Sequence, residues 1–409
     1  MPPEMMSSTT TRRRRRSPAD MSTRANLSRQ HGFSLIEAMV GITVGLIAVL
    51  IISQTFISFE TQKQTTTAGG DAQENGLMAL SMIEEHVRSA GAGLADPELH
   101  KCANYFSYYD PDPGSGPGGA PLPDLSTAPL RIVDGGAAGS DTVITGSSAF
   151  IGSVPAIMEG DFLKPYTRFA IDRTANVSFS NNDRVLLVQP DKKNCMLMQV
   201  TVCEAEPDND SATCAAVKEL VYKPGAPYNP DAAYQTLHGW PDFHAMEGKT
   251  RIYKMGRAAG VGMATTSYSV AGGQLRAQSG QLGAATTTED LVRNVVSLQA
   301  RYGIANPDSE NVNGWVDATG EWVFDTLDAT HIRRIKALEV LVVTRSERRE
   351  PAEVTSDAWF AAQIGDAGMR DAVANSIKAA FPDGEWAHYR YKIYTNVIAL
   401  RNVLWPDIK

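Results

Sequence analysis

The sequence has no second long apolar run. After residue 59 nothing in its 409 residues could cross a bilayer as a helix, which argues against a multi-span membrane protein. It has no G-x-S-x-G elbow, no G-x-x-x-x-G-K-[ST] loop, no H-E-x-x-H helix and no complete G-x-G-x-x-G, so neither an enzyme nor a cofactor is expected. Its 34 glycines and 22 prolines follow no three-residue period, which excludes a collagen-like rod. Positive charge is also short, and the net charge of −8 argues against nucleic acid as a partner of the whole molecule. What is present is ordinary for packed domains, with 43% apolar and 21% charged residues.

The charge is distributed unevenly. Residues 1–32 carry seven arginines (Arg12 to Arg16, Arg24 and Arg29) against Glu4 and Asp20, a net of +5, and the remainder therefore carries −13. From Phe33 to Phe59 the sequence FSLIEAMVGITVGLIAVLIISQTFISF holds one charge, Glu37, and no proline. As a helix this stretch is about 40 Å long, enough for a hydrocarbon core of about 30 Å. The positive-inside rule places residues 1–32 in the cytoplasm and the rest beyond the membrane. An ordinary secretory signal has a shorter apolar core and a small-residue exit. A plain signal anchor gives no reason for an acid so early in the span, where a central carboxylate costs about 2.5–3.5 kcal/mol and marks function by default.

The run His31-Gly32-Phe33-Ser34-Leu35-Ile36-Glu37 resembles the processing site of type IV prepilins and type II secretion pseudopilins. The resemblance implies cleavage between Gly32 and Phe33 by prepilin peptidase, N-methylation of Phe33, and a mature chain whose fifth residue is Glu37. The new amine is a cation at the membrane surface. A carboxylate one turn along can neutralise it, and in that family the pairing between neighbouring subunits is thought to set filament register. A leader of 32 residues is long for the family; a start at Met21 gives 12, and otherwise the arginine run is a cytoplasmic extension attracted to anionic headgroups.

After a polar stretch in which Gly69-Gly70 permits a bend or break, Leu77, Leu80, Ile83, Val87 and Ala90 are expected to share one helical face, with Gly91 and Gly93 ending the helix. Residues Cys102–Pro129 read as loop. Short strands are expected at Thr142–Thr145, Arg184–Gln189, Leu197–Cys203, Glu219–Lys223 and Arg251–Met255. A hairpin is expected about Ala271-Gly272-Gly273, and a final strand or bent pair over Trp386–Leu404. Asp290–Tyr302 and His331–Thr344 mix helical and extended spacing. The expected class is α+β: a long N-terminal helix, its first half transmembrane and its second amphipathic, packed on an antiparallel head of two sheets or one sheet with large inserted loops. The corresponding divisions are a leader at 1–32, a span at 33–59, an amphipathic continuation at 60–94 and a periplasmic head at 95–409.

Three later blocks narrow the resemblance. Asn75-Gly76 through Val87-Arg88-Ser89-Ala90-Gly91, Leu291-Val292-Arg293-Asn294-Val295 through Leu298-Gln299-Ala300-Arg301-Tyr302-Gly303, and Tyr394-Thr395-Asn396-Val397-Ile398-Ala399-Leu400-Arg401-Asn402 are similar to blocks of PilW-type minor pilins. Their type II secretion counterpart is pseudopilin J. This likeness implies a minor pilin of a Gram-negative inner membrane that primes a pilus or sits in its tip complex. Its expected partners are prepilin peptidase, other minor pilins, the major pilin, membrane lipid and a tip adhesin. The alternatives are a type II secretion pseudopilin and a signal-anchored periplasmic binding or enzymatic domain.

Four cysteines, Cys102, Cys195, Cys203 and Cys214, all follow the span, and an even count in an oxidising periplasm favours two disulfides. Three connectivities are open. Closing the polar loop with Cys203–Cys214 is the cheapest choice and pairs Cys102 with Cys195. Zinc would need close Cys pairs or nearby His, which are missing. His238 and His244 read as surface or structural residues. The loop of Asp308, Glu310, Asn311 and Asn313 departs from the EF-hand order and reads as solvated rather than as a calcium site.

Overall fold

The computed structural model describes residues 34–403, apart from residues 95, 114–117, 123–124, 149–154, 173–178, 202–218, 245–249, 258–261, 282–285, 308 and 325–326. Two compact units divide the chain, Met1–Lys63 and Gln64–Lys409. Helix α1 (Leu35–Ser89) is continuous, so Gly69 and Gly70 make no break. Each interior glycine costs roughly 0.5–1 kcal/mol, a sum that docking of the following residues outweighs. Gly91 and Gly93, at φ 79° and 72°, stop the helix where expected.

The strands that follow are β1 (Asn104–Phe106), β2 (Leu130–Val133), β3 (Thr142–Ser148), β4 (Ala156–Ile157), β5 (Arg168–Ala170), β6 (Asp183–Gln189), β7 (Asn194–Gln199) and β8 (Glu219–Val221). Helix α2 (Ala232–Leu237) precedes β9 (Arg251–Arg257), β10 (Met263–Ala271), β11 (Gln274–Gln281), β12 (Thr287–Arg293), β13 (Val295–Ala305) and β14 (Val312–Val316). Helix α3 (Ala329–Arg334) leads into β15 (Ile335–Arg345), and α4 (Asp357–Gln363) and α5 (Ala367–Ala380) precede β16 (Tyr391–Ala399).

The described strands form an inserted sheet β1-β7-β6-β9-β4, a helix-side sheet β12-β11-β10-β3-β2, a C-terminal sheet β14-β13-β15-β16 and a ribbon β5-β8. Pairing is antiparallel except for β1 on β7. This is the expected α+β class, with the strands divided among more sheets than pattern resolves. The hairpin turn falls at Gly272 and Gly273, both at positive φ, as a two-residue connection requires. The region expected to be loop after Cys102 contains the short strand β1, because its backbone joins β7 at the edge of the inserted sheet.

The buried face of the second half of α1 is Ala72, Gly76, Ala79, Leu80, Ile83, Val87 and Ala90. Leu77 was expected on that face but is 54% exposed. At 3.6 residues per turn it lies about 120° around from Ile83, whereas Ala79 lies about 40° away. Of these, Ala79, Leu80, Ile83, Val87 and Ala90 share one core with Ile132 and Val143, Tyr268 and Leu275, and Leu298, Leu338 and Val340 of the helix-side and C-terminal sheets. The other face of the C-terminal sheet, through Val296, Leu341 and Val343, packs on Phe360, Val373 and Ile377 of α4 and α5. The inserted sheet is covered on both faces. Val185, Leu187, Met196 and Met198 point into one cluster and Leu186, Val188, Cys195 and Leu197 into another, which explains the unbroken apolar reading of β6.

Candidate functional site

The N-terminal unit is described from Ser34, so the expected cleavage pair Gly32 and Phe33 lies outside the described residues. Glu37 stands in the first turn of α1 and is exposed. A carboxylate there faces the positive end of the helix dipole, which favours it. The helix behind it is apolar all round: from Leu35 to Phe59 its large side chains are 56–79% exposed. Its segment Leu35–Glu60 is long and apolar enough to cross a membrane. Thr43 donates to the carbonyls of Met39 and Val40 at 3.1 and 2.9 Å, and Thr55 to that of Ile51 at 2.8 Å. These hydroxyls therefore bond within the helix. A surface of this kind is unfavourable in water by about 25 cal/mol per Å² and is stable only among lipid tails or other apolar helices.

In the second unit the three sequence blocks converge. The ring of Tyr394 on β16 lies directly on Gly76, where a Cβ would collide with it. About two turns further along, Asn396 Nδ2 donates to Glu84 at 2.9 Å, and after about three and a half turns Asn402 Nδ2 donates to the carbonyls of Ser89 and Ala90 at 3.3 and 3.0 Å. Thr344 donates to the Ala72 carbonyl at 2.8 Å, and the Tyr268 hydroxyl meets His86 Nδ1 at 2.6 Å. The helix is thus gripped through its own carbonyls as well as through its apolar stripe. The middle block turns sharply at Asn294, at φ 59°, which divides β12 from β13. Sequence reading missed the Gly76–Tyr394 contact; its signal was a glycine on the buried face of an amphipathic helix.

Cys102 and Cys195 form a disulfide with Cα atoms 5.6 Å apart and a sequence separation of 93. It fastens the segment after α1 to β7. Cys203 and Cys214 lie outside the described residues. His238 packs on Tyr234 with ring centroids 4.0 Å apart, and His244 faces Asp161 at 3.5 Å. Glu310 pairs with Lys336 at 2.8 Å, while Asp308 lies outside the described residues. Among the described residues no three His, Cys, Asp or Glu side chains gather as metal ligands.

Among the buried groups whose ionisation is displaced are a histidine and an aspartate. Burial lowers His100 to about 4, and its Nδ1 has no hydrogen-bond partner among the described residues. Burial raises Asp141 to about 6, although its two oxygens accept from the Gly135 and Ala300 amides at 2.9 and 2.8 Å.

Residues 27–53 match the prokaryotic N-terminal methylation motif, and residues 265–402 match the family described as type IV pilus-assembly protein W. The second match covers β10, β11 and β12 of the helix-side sheet and all four strands of the C-terminal sheet. No curated protein and no solved structure matched the chain. An apolar N-terminal helix overlapping the methylation motif, followed by a head whose last strands match the W family over about a third of the chain, supports reading the chain as a PilW-type, type IV pilus-related pilin-like protein.

Proposed function

We propose that this chain is a minor subunit of a type IV pilus, cut between Gly32 and Phe33, N-methylated at Phe33 and held in the inner membrane by residues 33–59. Residues 1–32 are then a cytoplasmic leader that is removed, 60–94 continue the helix, and 95–409 form a head in the periplasm of a Gram-negative cell. Prepilin peptidase, the other minor pilins and the major pilin are its partners. The bulky head suits a place in the priming or tip complex, where it obstructs no neighbours along the shaft.

The observation that supports this reading most is the bare apolar surface of Leu35–Phe59, which overlaps the methylation motif matched over residues 27–53. Such a helix leaves the bilayer only into a core of like helices, and lateral packing there supplies the assembly energy. Glu37 then sets register by meeting the new amine of a neighbouring subunit, since a carboxylate in that apolar core needs a cation. Intact-mass and N-terminal analysis of membrane-extracted protein tests it. N-methylphenylalanine at position 33 supports the assignment, and a Gly32→Ala chain that still loses its leader overturns it.

A further inference from the structure

We propose that a cleft between the β10–β11 turn and the end of α5 binds a carboxylate carried on a short apolar stem, with Arg345 as its cation. The cleft has a volume of about 550 Å³ and is lined by Val270, Val296 and Ala380, with Ser140, Ser376 and Arg345 as its polar members. That size is within the 300–1,000 Å³ range of small-molecule sites, and a mostly apolar wall with a few convergent polar groups is their usual make-up.

Arg345 is the unusual member. Its guanidinium carbon lies 4.5 Å from the Tyr389 ring centroid and 5.3 Å from that of Phe381, so two aromatic faces hold its position. Its recorded hydrogen bonds are both from Nη1, to the carbonyls of Ser346 and Glu347 at 3.3 and 3.5 Å. Nε is enclosed with no acceptor among the described residues, and no carboxylate there pairs with the side chain. Of the acids on adjoining segments, Glu350 pairs with Arg390 and Glu385 with Arg349. In a chain of net charge −8, a cation held rigidly at a cleft and left without an acid is an acceptor-seeking group. Ser140 Oγ accepts from the Leu298 amide at 3.3 Å, which leaves its own proton to donate to the same ligand. The apolar lining selects the stem and the guanidinium selects the charge. A free short-chain acid and the C-terminal end of a protein chain share this chemistry.

The test uses the full chain in detergent micelles, with ligand NMR line broadening as the readout. The probes are butyrate, butyramide, inorganic phosphate, and an acetylated Ala-Val dipeptide as acid and as amide. Saturable broadening is expected for butyrate and for the dipeptide acid and not for either amide. Arg345→Gln should weaken butyrate binding about tenfold or more. Ala380→Trp, at an exposed end of α5, should fill the cleft and do the same with the circular dichroism unchanged. A dipeptide acid bound more tightly than butyrate assigns the ligand to a chain terminus, and equal binding assigns it to a free acid. Butyrate bound equally by both variants, amides bound as well as acids, or phosphate bound in preference to butyrate would each overturn the proposal. This site shares no residue with the assembly segment, so its failure leaves the pilin reading intact, and a wrong N-terminus leaves this site intact.

Discussion

Tyr394 rests its ring on the bare backbone of Gly76, joining the last strand to the first helix across more than three hundred residues. Gly76 is the one place on the buried face of α1 where a methyl group has no room, and Tyr394 supplies the volume that a side chain there would have filled.

Gly76→Ala should therefore destabilise the head despite the better helix propensity of alanine. Overpacking costs typically about 1–3 kcal/mol and the propensity gain returns up to about 1 kcal/mol. A Tyr394→Leu background should relieve most of the loss. Urea midpoints around the double-mutant cycle measure this, and strictly additive losses would count against the contact.

His100 and Asp141 should act in opposite directions over one pH window. His100 is lowered in the fold from 6.5 to about 4, so between those values the unfolded chain binds the extra proton and stability falls as pH falls. Asp141 is raised from 3.8 to about 6, so there the folded chain binds the extra proton and stability rises as pH falls. Each effect is on the order of 3 kcal/mol, and between pH 4 and 6 they largely cancel. Wild type should be nearly flat there, His100→Phe should gain stability on acidification, and Asp141→Asn should lose it. Denaturant midpoints at half-unit pH steps read the slopes, and parallel slopes in all three proteins would refute the assignment.

Removing the Cys102–Cys195 bond should lower head stability strongly. A closed loop of 93 residues corresponds to about 4–5 kcal/mol in the chain-entropy account. Cys102→Ala with Cys195→Ala, compared with wild type in denaturant without reductant, gives the loss directly. A difference under about 1 kcal/mol would mean that the unfolded chain is already compact there.

Glu37→Leu should leave the head unchanged and abolish incorporation into fibres. Glu37 belongs to the N-terminal unit and is exposed, so head melting should match wild type. Immunoblots of sheared fibres against membranes read incorporation, and normal recovery in fibres would remove the register role.

How much of this was legible in the sequence depends on whether an element states its own period. The long apolar run did so, and the short apolar stretch of β6, the β-branched and aromatic residues of β9 and the glycine pair of the β10–β11 turn were legible by composition. The mixed spacing at His331–Thr344 is a real junction, since α3 passes directly into β15 at Ile335. Leu77 misled because apolar character alone does not show angular position. Nothing in the sequence reading marked α4 and α5, although Met369, Val373 and Ile377 repeat every four residues behind the Asp366 cap. Alanine-rich turns gave that stripe little contrast. The Arg345 cleft could not be read at all, because its walls come from five separate segments brought together only by the fold.

Asn402 is the final described residue to bind α1, through the carbonyls of Ser89 and Ala90. Ile398 and Leu400, just ahead of it, lie in the same core as Ile83 and Val87 of the helix stripe. A polypeptide cut short before β16 would therefore leave part of that stripe bare, an apolar ridge that favours sticking to other apolar surfaces.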